Sequence, residues 1–132
     1  MHILIMSDSE CLGEFCSTYL ASEGHITYLT TTKDYNDLLA SRFHNLDAVF
    51  INVNPIDANH IPMIYWQVHG YNPNTQIVLL TINMPSKVVD ELVMEGCKKL
   101  IVPFLDGSYL LEVLEQKLSH NEVKQYGDAV PA

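Results

Sequence analysis

The sequence predicts a doubly wound α/β domain: one five-stranded parallel sheet with helices on both faces. Three observations lead there. Apolar, β-branched runs alternate with amphipathic helical stretches along nearly the whole chain, as strand-helix-strand units do. The middle run, Asp47-Ala48-Val49-Phe50-Ile51-Asn52-Val53-Asn54-Pro55, is apolar on both strand faces, which suits a central parallel strand covered from either side. The 132 residues make one domain with a single substantial core.

His2 to Met6 reads as the first strand, and its short, lightly basic start does not suit a secretory signal. Ser9 can cap a helix running to about residue 23, with Leu12, Phe15, Cys16, Tyr19 and Leu20 spaced by three and four on its apolar face. Gly24 ends it. A weaker second strand runs from His25 to Leu29 or Thr30, nearer the sheet edge. Thr32 or Asp34 opens a short helix to about His44 that buries Leu38, Leu39 and Phe43. The central strand occupies 47–53.

A polar loop follows over 54–60. Pro62 fits the first turn of a third helix, where its missing N–H costs nothing, and that helix carries Ile64, Tyr65, Trp66 and Val68 to Gly70. Asn72-Pro73-Asn74 is a turn, and Gln76 to Ile82 is the fourth strand. Ser86 caps a fourth helix with Val88, Val89, Leu92 and Val93 inside, stopped by Gly96. Leu100-Ile101-Val102 is a short fifth strand ended by Pro103-Phe104. Asp106 caps a last helix with Leu110, Leu111, Leu114 and Leu118 on one face. The domain is expected over 1–119, with a loose tail over 120–132.

Composition narrows the function classes. Seven basic and 16 acidic residues give a formal charge of −9, which repels duplex nucleic acid unless a basic patch exists, and Lys98-Lys99 is not one. No apolar run approaches the roughly 18 residues of a membrane span. Cys11, Cys16 and Cys97 are odd in number and lack metal-ligand spacing, so they read as thiols in a reducing cytoplasm.

In sheets of this plan the working residues sit past the carboxyl ends of the strands. Here those are Ser7-Asp8 after the first strand, Asn52 on the third, Thr81 on the fourth and Val102-Pro103 on the fifth. With these landmarks the chain resembles a receiver domain of two-component response regulators, from residue 2 to about 118. The resemblance implies the flavodoxin-like (CheY-like) fold with strand order 2-1-3-4-5. It also implies a phosphorylation site: an acidic pair for magnesium, a nucleophilic aspartate on the third strand, a hydroxyl on the fourth and Lys-Pro on the fifth. This chain keeps Asp8, Thr81 and Pro103. It has Ser7 for one acid, Asn52 for the nucleophile and Val102 for the lysine. The loop from Gly96 to Pro103 is one residue short, and the family's aromatic switch position falls on Lys99 or Leu100.

These changes speak against switching by phosphorylation. A carboxamide oxygen is a very poor nucleophile. Asp8 alone anchors magnesium poorly, so binding of that ion is expected to be weak or absent. Nothing in the motif neutralises phosphoryl oxygens, the main task in this transfer. The expectation is a non-enzymatic, cytoplasmic pseudo-receiver without a cofactor. By the resemblance, its contact with a protein partner or a second copy falls on 86–118, with Lys87, Asp90, Glu91, Glu95, Lys98 and Tyr109 facing outward. The alternatives are a small-ligand or enzymatic site in the strand-end crevice, or atypical phosphorylation on Ser7 or Thr81.

Plainer readings compete at several residues. Asn52 can be a hydrogen-bonding strand end, and Ser7, Asp8 and Ser9 a capping cluster for the first helix. Cys11 lies where some phosphotransfer proteins keep a nucleophile, yet Glu14 beside it would repel phosphate. The six histidines show no metal pattern. Tyr65 and Trp66 read as one core and one surface aromatic, the latter an anchor for a partner if exposed.

Overall fold

The computed structural model describes residues 1–31, 46–53, 60–82, 86–102 and 106–115. In chain order these hold β1 (His2–Met6), α1 (Glu10–Ser22), β2 (Ile26–Thr30), β3 (Ala48–Asn52), α2 (His60–Tyr71), β4 (Gln76–Ile82), α3 (Lys87–Met94), β5 (Lys98–Val102) and α4 (Ser108–Glu115). The sheet order is β2-β1-β3-β4-β5 and every pairing is parallel, as expected. The helix expected over about 32–44 lies outside the described residues. So do positions 54–59, Pro103-Phe104, Leu118 and the tail.

Strand parity sorts the core into two layers. Leu4, Met6, Val49, Ile51, Ile77 and Leu79 turn to one side, where Ile64 and Val68 of α2 and Val89 and Leu92 of α3 cover them. Ile3, Ile5, Ala48, Phe50, Val78, Leu80 and Leu100 turn to the other, against Cys16 and Leu20 of α1 and Leu110, Val113 and Leu114 of α4. Every residue of β3 is buried, which explains its unbroken apolar run. Each large apolar side chain so buried contributes about 1.5–3 kcal/mol.

The helix signals act as read. Ser9 and Ser86 cap α1 and α3 by accepting from the amides of Leu12 and Val89. Gly24 and Gly96, which follow those helices, take φ of 93° and 119°, a region that other residues adopt at a cost. Tyr65 is buried and Trp66 exposed, the division expected of that pair.

Two expectations need correction. Phe15 does not join the buried face of α1 and is 46% exposed. The helix seats itself through Gly13, Cys16 and Leu20 instead. A β-carbon on Gly13 would lie 2.8 Å from Leu29 Cδ1 and 3.3 Å from Ser7 Cβ, so α1 approaches the sheet on its glycine side and Phe15 is turned outward. The fifth strand starts at Lys98, two residues earlier than the apolar run suggests, with consequences for Lys98.

Candidate functional site at the strand ends

Parallel pairing carries the ends of β1, β3, β4 and β5 to one edge of the sheet, bringing Ser7, Asn52, Thr81 and Val102 with them. Asn52 is 2% exposed and Ser7 5%. The Asn52 side-chain Nδ2 donates to Ser7 Oγ at 3.2 Å. Ser7 Oγ also accepts from the Ser9 amide at 3.0 Å and donates to the Ser9 carbonyl at 2.8 Å. A hydroxyl offers one donor and two acceptor positions, so that of Ser7 is fully committed. The Ser7 amide donates to the Thr30 carbonyl at 2.9 Å, tying the same residue to β2.

Ser7 therefore links three elements: it receives β3 through Asn52, holds β2 through its amide, and braces Ser9, the cap of α1. The capping role expected for this cluster rests with Ser9, whose Oγ accepts from Leu12 at 3.5 Å. Thr81 is also buried, and its hydroxyl donates to the Ile82 carbonyl at 3.3 Å. Val102 is half-buried against the layer beneath α1 and α4 and adds apolar contact at the position of the resembled family's lysine. Asp8 is exposed. Pro103 lies outside the described residues.

This arrangement does not fit a magnesium ion. Magnesium takes near-octahedral oxygen ligands, usually one or two carboxylates with waters. At these strand ends Ser7 and Asn52 are neutral and bonded to each other, and the nitrogen of Asn52 is aimed at Ser7. An amide N–H directed into the space between them repels a cation. Among the described residues no group of three or more His, Cys, Asp or Glu side chains could hold a metal ion.

Lys98 was expected on an outward interaction face, and the structure corrects this. Its side chain is buried at the amino end of β5, where Nζ donates to Gln76 Oε1 at 2.7 Å and to the carbonyls of Val113 and Leu114 at 2.8 and 3.3 Å. Burial pushes its pKa below the usual lysine value. Four residues of strand, roughly 13 Å, separate it from Val102, so it cannot replace the missing lysine there. The sequence held a signal for this: Lys98 shares strand parity with buried Leu100.

Of the other residues expected on that face, Lys87, Asp90, Glu91 and Glu95 are exposed. Lys87 and Glu91 pair at 4.0 Å with side chains 90% and 65% exposed, a contact worth about 0.3–0.5 kcal/mol. Tyr109 is half-buried against the core under α4. The exposed part of the expected face is thus the outer side of α3.

The thiols differ sharply. Cys11 is exposed on α1, while Cys16 and Cys97 are buried, and desolvation pushes both up to about 12. Neither buried thiol is a nucleophile at neutral pH. Among the described residues no helix is long and apolar enough to cross a membrane.

No protein-family model matches the chain, and no protein of curated function does either. Solved structures do. The chain is similar to the chemotaxis protein CheY4 of Vibrio cholerae, with 23% identity, 89% of this chain and 98% of that one covered, and a TM-score of 0.67. It is similar to the non-phosphorylated HemR receiver domain of Leptospira biflexa, with 19% identity, coverage of 90% and 98%, and a TM-score of 0.71. A third likeness is to an atypical orphan response regulator described with a phosphorylation-independent regulatory mechanism, at 17% identity, coverage of 96% and 98%, and a TM-score of 0.66. At such identities the likeness is one of fold: this chain has the CheY-like receiver fold.

Proposed function

We propose that this domain is a pseudo-receiver, a protein–protein interaction module in bacterial signalling or regulation that is not switched by phosphorylation. The observation that carries the reading is the Asn52–Ser7 hydrogen bond. A receiver needs an ionised carboxylate at that strand end to attack phosphorus and to help hold magnesium. Here a neutral amide donates to a neutral hydroxyl, and both are buried.

Three further features support it. Val102 puts an apolar side chain where a cation would meet phosphoryl oxygens. The one carboxylate retained from the acidic pair, Asp8, is exposed to solvent, where a single acid binds magnesium weakly. The fold is shared with a response regulator described as phosphorylation-independent. A domain held in one state can still signal by presenting a surface, because a switch is a population bias between two states. The outer side of α3, with Lys87, Asp90, Glu91 and Glu95, offers a mixed-charge surface for a protein partner or a second copy. The charge of −9 disfavours direct contact with nucleic acid.

Incubation with acetyl phosphate and magnesium, followed by intact-protein mass spectrometry, tests the reading. The mass is expected to stay unchanged. An adduct of one phosphoryl group on any residue would overturn it.

A further inference from the structure

A cavity of about 410 Å³ opens at the amino ends of β4 and β5, on the edge of the sheet opposite Asn52 and Ser7. That volume falls within the range of small-molecule sites. Pro73 and Ile77 line it, and Tyr65 and His69 of α2 give it a flat wall. Their rings stack 13° from parallel with centroids 5.5 Å apart. The Tyr65 hydroxyl donates to the Glu95 carbonyl at 3.4 Å, fastening that wall to the residue that follows α3.

Lys98 belongs to the lining and is only 9% exposed. Its ammonium has three hydrogens, and the three acceptors they meet, Gln76 Oε1 and the carbonyls of Val113 and Leu114, are all neutral. Among the described residues no carboxylate pairs with it. The cation is therefore hydrogen-bonded without being neutralised, and a buried charge gains most from an opposite charge nearby. Gln76 carries that preference to the cavity. Its Oε1 is turned to the ammonium, so its Nε2 lies on the other side of the carboxamide, without a partner among the described residues. The Gln76 backbone amide donates to the Asp47 carbonyl at 3.0 Å, which sets this donor on a fixed strand end. Lys98 is the only lysine or arginine in the lining, and the exposed Glu95 lines the same cavity. One cation with a carboxylate at the mouth suits a ligand carrying a single negative charge.

We infer that the cavity at the amino ends of β4 and β5 binds a small aromatic monocarboxylate. The Gln76 carboxamide receives its carboxylate beside the Lys98 charge, and its ring lies against the wall of Tyr65 and His69. This goes beyond the reading of the domain as an interaction module and does not depend on it, because the cavity forms at the other edge of the sheet.

The test uses the full chain with phenylacetate as the probe, followed by amide NMR and by melting temperature. Phenylacetate is expected to bind with a Kd of about 1 mM and to raise the melting temperature. The shifted amides should be those of the lining, at 74–77 and 95–98. Phenylacetamide, the same shape without the charge, should bind about tenfold more weakly. Acetate and inorganic phosphate, which lack the ring, should shift nothing at the same concentration. Gln76→Glu supplies the missing carboxylate from the chain itself. It should abolish phenylacetate binding while the melting temperature holds or rises. His69→Ala, at a half-buried site, should weaken binding about fivefold. Equal binding of phenylacetamide, benzylamine, acetate or phosphate would overturn the inference. So would shifts confined to other residues, binding unaltered by Gln76→Glu or by His69→Ala, or no binding at about 20 mM phenylacetate. Any of these results would leave the pseudo-receiver reading standing, since that reading is decided by acetyl phosphate and magnesium at the opposite edge.

Discussion

The carboxamide of Asn52 donates to the hydroxyl of Ser7 at 3.2 Å, joining the ends of β3 and β1 across 45 residues of sequence. Polar groups buried this deeply stabilise only when partnered, and these two partner each other. The strand-end edge is thus complete as a structural joint, and the first two predictions probe that completeness.

Asn52→Asp keeps the shape and replaces a donor by a charge in a site only 2% exposed. Destabilisation of about 1–3 kcal/mol at neutral pH is expected. Burial would raise the new carboxyl's folded pKa above its unfolded value. The sign follows: the penalty is absent below the ordinary carboxylate range and sets in as pH rises through it. Urea titrations of both proteins at pH 4 and pH 7 measure it. A variant equally stable at both values, relative to the parent, would contradict the account.

Magnesium gives the complementary experiment. The parent's melting temperature should not respond to millimolar magnesium, since the amide–hydroxyl pair offers it no charge. Ser7→Asp with Asn52→Asp places two carboxylates beside Asp8. That double variant should be less stable than the parent without the ion and should recover several degrees with it. Calorimetric scans with and without magnesium decide the point.

Lys98 cannot be read as a surface charge. Its ammonium meets the carbonyls of Val113 and Leu114 of α4, and among the described residues of that helix there is no basic side chain. Lys98→Met leaves those carbonyls and Gln76 short of a donor, at an expected cost of about 1–3 kcal/mol. Because burial lowers the folded pKa, this group's contribution is full above the ordinary lysine value of 10.5 and declines as pH falls through the folded value. The stability gap between parent and variant should therefore widen from pH 8 to pH 11. Chemical denaturation across that range checks the trend.

Thiol reactivity follows burial. In the native chain only Cys11 should react with a disulfide reagent at pH 7.5, and all three cysteines should react in denaturant. Raised folded pKa values at Cys16 and Cys97 mean that the unfolded chain loses protons first. Stability should accordingly fall as pH rises past the ordinary thiol value of 9.0. Rapid labelling of Cys97 in the native protein would count against the packing beneath α3.

Much of the architecture was legible because hydrophobic period and end signals are local. Ser9, Gly24, Ser86 and Gly96 bound α1 and α3 as their chemistry requires, and the limits of β1 and β4 match the apolar runs. Phe15 was misplaced because spacing by three and four defines a helical stripe without saying which edge of it meets the sheet. Gly13 settled that by allowing close approach on its own side. Lys98 was misplaced because its acceptors come from β4 and α4, which no neighbouring residue announces.

The chemistry at the strand ends was written in residue types alone: an amide, a hydroxyl and a valine carry no charge wherever they are placed. That local fact sufficed to argue against phosphoryl transfer. How the edge closes depended on the chain's path in space, because Ser7 and Asn52 meet only when β1 lies beside β3. The outward turn of Phe15 is likewise invisible along the sequence. It arises because α1 packs through Gly13, just as Gly107 lets the Tyr19 ring lie against the start of α4, and close approach of that kind is a property of the assembled fold.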